Sequence, residues 1–286
     1  MDIVQAILYG LILSSIFALG AVGVSLIFGI LRFAHFAHGD MVTLGAYLAL
    51  AVVTLGQVSV WLALPVAVLV TAGAAIAVDH VVYRRLRRTR PVILFLASVG
   101  VAFVLRNLVL GIWGPQNLVY EPGIKLPMQF AGLRLKIDQL VIIVASIALI
   151  SGLALFLRMT KIGKAMRAMS DDPDLARVSG IDTDAVVRWT WVLGGALAAT
   201  AGVFHALDTR LQPTLGWDLL LGFFAAAILG GIGRPMGAIA GALVIGLASE
   251  LSTLFLPPVY RSAVAFVLMI AVLLIRPTGI FAEARR

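Results

Sequence analysis

The stretch MVTLGAYLALAVVTLGQVSVWLALPVAVLVTAGAAIAV, Met41 to Val78, carries no charged side chain over its whole length. As one helix it would be about 57 Å long at 1.5 Å per residue, nearly twice the roughly 30 Å hydrocarbon core of a bilayer. Gly56, Gln57 and Pro65 lie near its middle, so it is predicted to fold back and cross twice. Reading outward, Val4 to Leu31 spans once, and further spans are expected at Pro91 to Trp113 (with Arg106 inside), Gln139 to Leu157 and Trp189 to Leu207. Leu219 to Gly233, Pro235 to Leu256 and Ser262 to Ile275 complete eight or nine hydrophobic segments. The expected fold is an all-α, polytopic transmembrane helical bundle with broken short helices, forming a single domain over residues 1–286.

Composition leads to the same class. Hydrophobic residues make up 61% and charged residues 13%, with a mean hydropathy of +1.05. Soluble domains hold about 45–50% apolar and about 25% charged residues, so a water-soluble fold could not hide this much apolar surface. The start, MDIVQAILYG, has neither a basic leader nor a small-residue cleavage site, and the first segment is expected to be retained. Cysteine is absent, which removes disulfides, thiolate metal sites and a cysteine nucleophile together. The net charge of +8 sits in short loops between apolar spans, where it reports membrane orientation and not nucleic acid.

Tyr83 to Arg90 is the first strongly basic loop, and residues 158–188, with Lys161, Lys164, Arg167 and Arg177, form the second. Both are predicted to be cytoplasmic. Threading the spans from there places Gly114 to Asp138 and Asp208 to Asp218 outside, and returns the tail Arg276 to Arg286, with its three arginines, to the cytoplasm. The N-terminus is then outside, provided that the short segments around residues 32–56 cross fully.

Two glycine-bounded segments correspond: Gly39 to Ala46 early, and Gly233 to Ala242 late. Each reads as a half-helix after a break. Interrupted helices at matching places in two halves point to an internal repeat with the breaks beside a transport path, which makes His38, Gly39, Asp40 and Gly233 candidates. Glycine that simply permits close helix packing, as at Gly237-x-x-x-Gly241, explains the same pattern.

The second basic loop carries clear helix punctuation. Asp172 can cap, Pro173 suits the first helical position, Asp174 favours the positive end of the dipole, and Gly180 can end the helix in the left-handed region. The product is a helix of about two turns with Leu175 and Val178 on one face. It is too short to stand alone, and packs either in a groove of a cytoplasmic partner or on the membrane ends of its own chain.

Phe36-Ala37-His38-Gly39-Asp40-Met41, the Gly163 to Asp182 loop, Leu229-Gly230-Gly231-Ile232-Gly233 and Arg276-Pro277-Thr278-Gly279-Ile280-Phe281 together resemble the LivH-type branched-chain amino acid permease family. The resemblance runs over essentially the whole chain and rests on four motifs in the family's order and spacing. It implies a permease subunit of an ATP-binding-cassette importer in the bacterial inner membrane. The implied partners are a homologous second permease, two cytoplasmic ATP-binding subunits, a periplasmic or extracytoplasmic substrate-binding protein and membrane lipid. Residues from about Lys164 to Gly180 would be the coupling helix, with Met166, Met169, Asp172, Pro173, Asp174, Leu175, Arg177, Val178 and Gly180 as the ATPase-coupling set. ATP would be used by the partner subunits, with no cofactor bound by this chain. One departure is visible: the family commonly has asparagine shortly before its Phe-Ala-His-Gly run, where this chain has His35, which bears on substrate detail rather than on family.

Charged side chains at the centre of a span cost about 3 kcal/mol or more, so Asp40, Arg106 and Glu250 call for a partner, a water path or a function. Glu250 can line a path, pair or snorkel, and Arg106 is its candidate partner. His35, His38 and Asp40 form H-x-x-H-x-D, but no third histidine is near and Gly39 is expected to break the segment, so no metal is expected; the resemblance implies a structural turn at the helix break. The nucleotide-binding Gly-x-x-x-x-Gly-Lys-Ser/Thr, the Gly-x-Ser-x-Gly elbow and His-Glu-x-x-His are all absent from the sequence, so no enzyme chemistry is signalled. The rivals are a permease for urea or short amides, a proton-coupled secondary transporter using Glu250 or Asp40, and a membrane enzyme built on the histidine pair.

Overall fold

The computed structural model describes residues 3–87, 89–121, 127–130, 133–276 and 279–280. Arg88 of the first basic loop, Pro277, Thr278 and Phe281 of the last motif, and the tail arginines Arg285 and Arg286 lie outside the described residues. Among the described residues, eight helices are long and apolar enough to cross a membrane, and a shorter apolar helix, Leu215–Gly230, makes the ninth hydrophobic segment. In chain order the helices are α1 (Ile3–Leu31), α2 (Ala37–Gly56), α3 (Val60–Val78), α4 (Arg84–Leu86) and α5 (Pro91–Trp113). After a small antiparallel hairpin, β1 (Met128–Phe130) and β2 (Leu133–Leu135), come α6 (Ile137–Met159), α7 (Lys161–Asp171), α8 (Pro173–Val178) and α9 (Thr183–Asp208). Then α10 (Leu215–Gly230), α11 (Pro235–Leu251) and α12 (Arg261–Ile275) close the chain.

The long uncharged run does fold back. Gln57, in the left-handed region at φ 50°, ends α2, and extended Ser59 starts α3. Pro65 lies inside α3 and makes no turn. From α3 the chain continues through a π-helical turn, Asp79–Tyr83, into α4. The early break also falls elsewhere than the glycine suggested. Arg32 leaves α1 at φ 57°, the break runs to Phe36, and His38, Gly39 and Asp40 belong to the first turn of α2. A broken backbone at membrane depth needs internal partners. Here Phe36 N–H donates to Ser98 Oγ of α5 at 3.0 Å, and Ser98 Oγ donates to Phe95 O at 2.7 Å.

α1, α2 and α9 form the buried centre, with α11 lying along α1 and α10 touching α1, α2 and α11. Close approach depends on missing side chains: a Cβ on Gly202 of α9 would collide with the Val42 carbonyl of α2, and Gly230 and Gly237 meet backbone to backbone. Small residues at the contact are the usual means by which membrane helices gain packing contact without a hydrophobic driving force between them.

Both basic loops lie on one side of the bundle. Arg87 of the first pairs with Asp184 of the second at 3.1 Å and with buried Asp79 at 2.5 Å. Arg32, at the end of α1, donates to Ser170 O at 2.5 Å, and Ile280 N–H donates to Leu229 O at 2.8 Å beside the α10–α11 corner. This is the side that the positive-inside rule assigns to the cytoplasm. On the opposite side Gln5 exchanges two 2.9 Å hydrogen bonds with the backbone of Arg134, Leu118 and Leu211 form an antiparallel bridge, and Tyr120 O–H donates to Ala46 O at 3.0 Å. The residue at the start of α1 therefore shares a side with the Gly114–Asp138 loop.

Candidate translocation and coupling sites

The first turns of the two helices that begin inside the bundle, α2 and α10, meet. A Cβ on Gly216 would collide with the Gly39 carbonyl, and Gly216 N–H donates to Thr43 Oγ1 at 2.9 Å. Thr43 thus satisfies a free N–H at the start of α10 from the neighbouring broken helix. Beside this junction Asp40, fully buried, accepts from Arg106 Nε at 2.9 Å and from Nη2 at 3.2 Å. The guanidinium stands 4.6 Å from the ring centre of Trp217, and Phe36 packs on Phe95, Trp217 and Phe224. A carboxylate on two guanidinium N–H groups, with an aromatic face over the cation, offsets the cost of burying both charges.

Arg106 is therefore the partner of Asp40, and the pairing with Glu250 considered from sequence is not formed. Glu250, near the end of α11, instead forms an ion pair with Arg261 at the start of α12, with Arg261 Nη2 3.0 Å from Glu250 Oε2. His35 and His38 stand edge-on to each other, 6.2 Å between ring centres, and each has a further partner of its own. His35 Nε2 lies 3.0 Å from Tyr83 Oη and its ring stands edge-on to Trp191, while the His38 ring stands edge-on to Phe223. Asp40 faces Arg106, so the three groups of H-x-x-H-x-D do not converge.

At the basic end of the bundle, the loop between α6 and α9 holds α8 and a second, longer helix, α7. Thr160 Oγ1 caps α7 by accepting from Gly163 N–H at 2.9 Å. Met166 and Met169 are buried against the chain's own helices and hold α7 in place; their side chains do not face outward. Asp172 accepts from Asp174 N–H and Leu175 N–H, both at 3.0 Å, Pro173 takes the first helical position, and Gly180 ends the turn at φ 83°. Leu175 is 61% and Val178 81% exposed.

Residues 6–273 match the family described as branched-chain amino acid transport system / permease component. The chain belongs to this permease family. It is 31% identical over 299 residues to the high-affinity branched-chain amino acid transport system permease protein LivH of Salmonella typhimurium, covering 96% of this chain and 94% of the relative. To BraD of Pseudomonas aeruginosa, named for the same system, it is 32% identical with the same coverage. PsaBC from Streptococcus pneumoniae, solved in complex with Fab, shares the fold at a TM-score of 0.54 and 14% identity, covering 97% of this chain and 93% of that one. The chain is thus a multi-pass permease of the bacterial cytoplasmic membrane, of the ATP-binding-cassette type, and its family is one of transporters and not of enzymes.

Three of the four motifs that carry the family resemblance meet at the basic end of the bundle, and the first stands at the α2–α10 junction. Phe36 to Met41 opens α2 at the junction with α10, and Gly163 to Asp182 is the α7–α8 element. Leu229 to Gly233 turns the α10–α11 corner, where Gly231 and Gly233 have φ of 102° and 82°. Gly279 of the last motif packs on Gly231 and Ile228 of that corner, and Gly233 lies against Gly29 of α1. The ion pairs escaped sequence reasoning, and the single coupling helix expected from about Lys164 to Gly180 is two helices, α7 and α8. Strong segregation of Lys164, Arg167 and Asp171 from Ile162, Met166 and Met169 could have revealed α7.

Proposed function

We propose that this permease is the membrane subunit of an ATP-driven importer of branched-chain amino acids, forming the path with a homologous second permease. Two cytoplasmic ATPases bind and hydrolyse the nucleotide, and an extracytoplasmic binding protein delivers the substrate. The observation that carries the coupling role is the outward Leu175 and Val178 pair on α8. A six-residue helix has no stability of its own, yet this one is capped at both ends and follows directly from α7, which is anchored by Met166 and Met169. Two apolar anchors at i and i+3 on a fixed helix fit a groove on a partner, and nucleotide-driven motion of that partner would be passed through α7 to α1 and α6. Arg177 and Asp174 flank the anchors, and Gly180 sets the angle at which the chain returns to α9.

The meeting point of α2 and α10, with His38, Gly39, Asp40 and Arg106 on or beside it, is the proposed path-side break, and the Gly233 corner is its cytoplasmic counterpart. Asp40 and Glu250, the carboxylates that a proton-coupled carrier would use, are each held by an arginine, which favours the ATP-driven reading. Branched-chain amino acids as substrate rest on the named activities of the relatives. Purification of the tagged chain from its native membrane in mild detergent, followed by mass spectrometry, tests the assembly: two ATPase chains and a second permease are expected. A homo-oligomer without ATPase would overturn it. Uptake of urea or short amides but not leucine by the reconstituted complex would keep the assembly and replace the substrate.

A further inference from the structure

The cytoplasmic end of the bundle holds a cavity of about 860 Å³ between the end of α1, the end of α6, α7 and the α10–α11 corner. Four arginines from separate elements line it: Arg32, Arg158, Arg167 and Arg234, with Asp171 as the one carboxylate among its lining residues. Positively charged residues collect on this side of any such protein, but orientation alone requires neither convergence nor a cavity. Two of the arginines are braced against its wall by one guanidinium nitrogen each, Arg32 on Ser170 O and Arg167 on Leu157 O, leaving their other N–H groups for an acceptor. The first turn of α11, starting at Pro235, also lies at the cavity and adds the positive end of a seventeen-residue helix.

The lining is graded along the axes of α1 and α6. Leu26 lies six residues before Arg32, about 9 Å deeper, and Ala154 lies about 6 Å deeper than Arg158. Leu157, Ile232 and Met236 continue the apolar part. A soluble anion has no use for the apolar upper wall, whereas an amphiphile with an anionic head toward the cytoplasm and acyl chains toward the bilayer matches both halves. Basic pockets between transmembrane helices on the cytoplasmic side are suited to anionic lipid headgroups, and the volume lies within the usual range of about 300–1,000 Å³ for ligand sites.

We infer that this cavity is a specific binding site for the phosphate headgroup of an anionic phospholipid of the inner leaflet. The lining shares Gly233 and α7 with the proposed path and coupling element, but lipid retention is read on the chain alone, without transport or an ATPase, so the site stands or falls separately from the importer reading. The test is native mass spectrometry of the full chain in mild detergent, with phosphatidylglycerol, phosphatidylethanolamine or inorganic phosphate added in separate arms. One retained phosphatidylglycerol is expected, with neither of the other two retained. Arg158→Gln and Arg32→Gln are each expected to weaken retention about fivefold, the scale of one basic residue near an anionic headgroup. Arg85→Gln, an equally basic cytoplasmic position outside the cavity, is expected to change nothing. Equal retention of the two lipids, retention of phosphate alone, or equal weakening by Arg85→Gln would overturn the assignment. Arg158 is exposed on α6 and makes no ion pair among the described residues, so its variant decides the matter even if Arg32→Gln fails to fold.

Discussion

α6 and α9 cross the same bundle and invert the usual rule. α6 has the most apolar window of the eight spans, and 22% of that window is buried inside the protein; α9 has the least apolar window, and 72% of it is buried. In water the apolar helix would be the inner one. In a bilayer the lipid is as apolar as leucine, so apolar side chains gain nothing by turning inward, and close contact between small residues and the pairing of polar groups decide what lies inside. α9 accordingly carries Gly194, Gly195, Ala198, Ala199 and Gly202 on buried positions, while α6 shows Leu140, Val144 and Ile147 to the outside. α12 extends the contrast with 6% of its window buried. α1 is both apolar and 78% buried, because it is the post on which α9, α10 and α11 all pack.

The largest expected effect sharpens this contrast. Gly202→Leu forces a side chain into the Val42 carbonyl and should destabilise by about 3 kcal/mol or more. Val144→Ala on α6 should stay within about 0.5 kcal/mol. Thermal unfolding of both variants in one detergent checks the pair, and similar melting shifts would break the inner-versus-outer distinction. Next in size, Asp40→Asn leaves Arg106 buried without its counter-charge, at a cost of about 3 kcal/mol. The double variant Asp40→Asn with Arg106→Gln should recover part of that loss. A double variant as unstable as the sum of its parts would mean that the two residues act independently.

The smallest effect belongs to the other ion pair. Arg261 is 42% exposed while Glu250 is buried, and a pair with one solvated partner is worth less than one buried on both sides, so Arg261→Gln should shift the melting temperature less than Asp40→Asn. An equal shift would place Glu250 and Arg261 among the core contacts and move the boundary of the inner set outward.

How much of this was legible in the sequence follows from range. Pro91 to Trp113 was read to the residue, since a proline at the first helical position and Gly114 at φ 77° mark both ends locally. The caps at Asp172 and Gly180 were equally local. The sequence leaves two readings of Gly39, a helix break or a close packing contact, and the fold has the second. In the fold Gly39 is needed for contact with Gly216, and Arg32 makes the left-handed turn. Asp40 and Arg106 are 66 residues apart and Gly216 and Thr43 are 173 apart, distances over which one sequence carries no pairing signal. Met166 and Met169 belong to the coupling set that the resemblance implies, but in the fold they are buried, on a different face of α7 from exposed Arg167.

The central claim is that a permease with this buried core is driven through the exposed face of α8. The most direct measurement is ATP-dependent leucine uptake by proteoliposomes holding the complex purified from native membranes, compared with the Leu175→Asp, Val178→Asp double variant. Uptake that requires ATP, and that the variant loses with its melting temperature unchanged and its ATPases no longer copurifying, is the predicted result. Uptake driven by a proton gradient without ATP, or full ATP-driven uptake by the variant, would contradict the account.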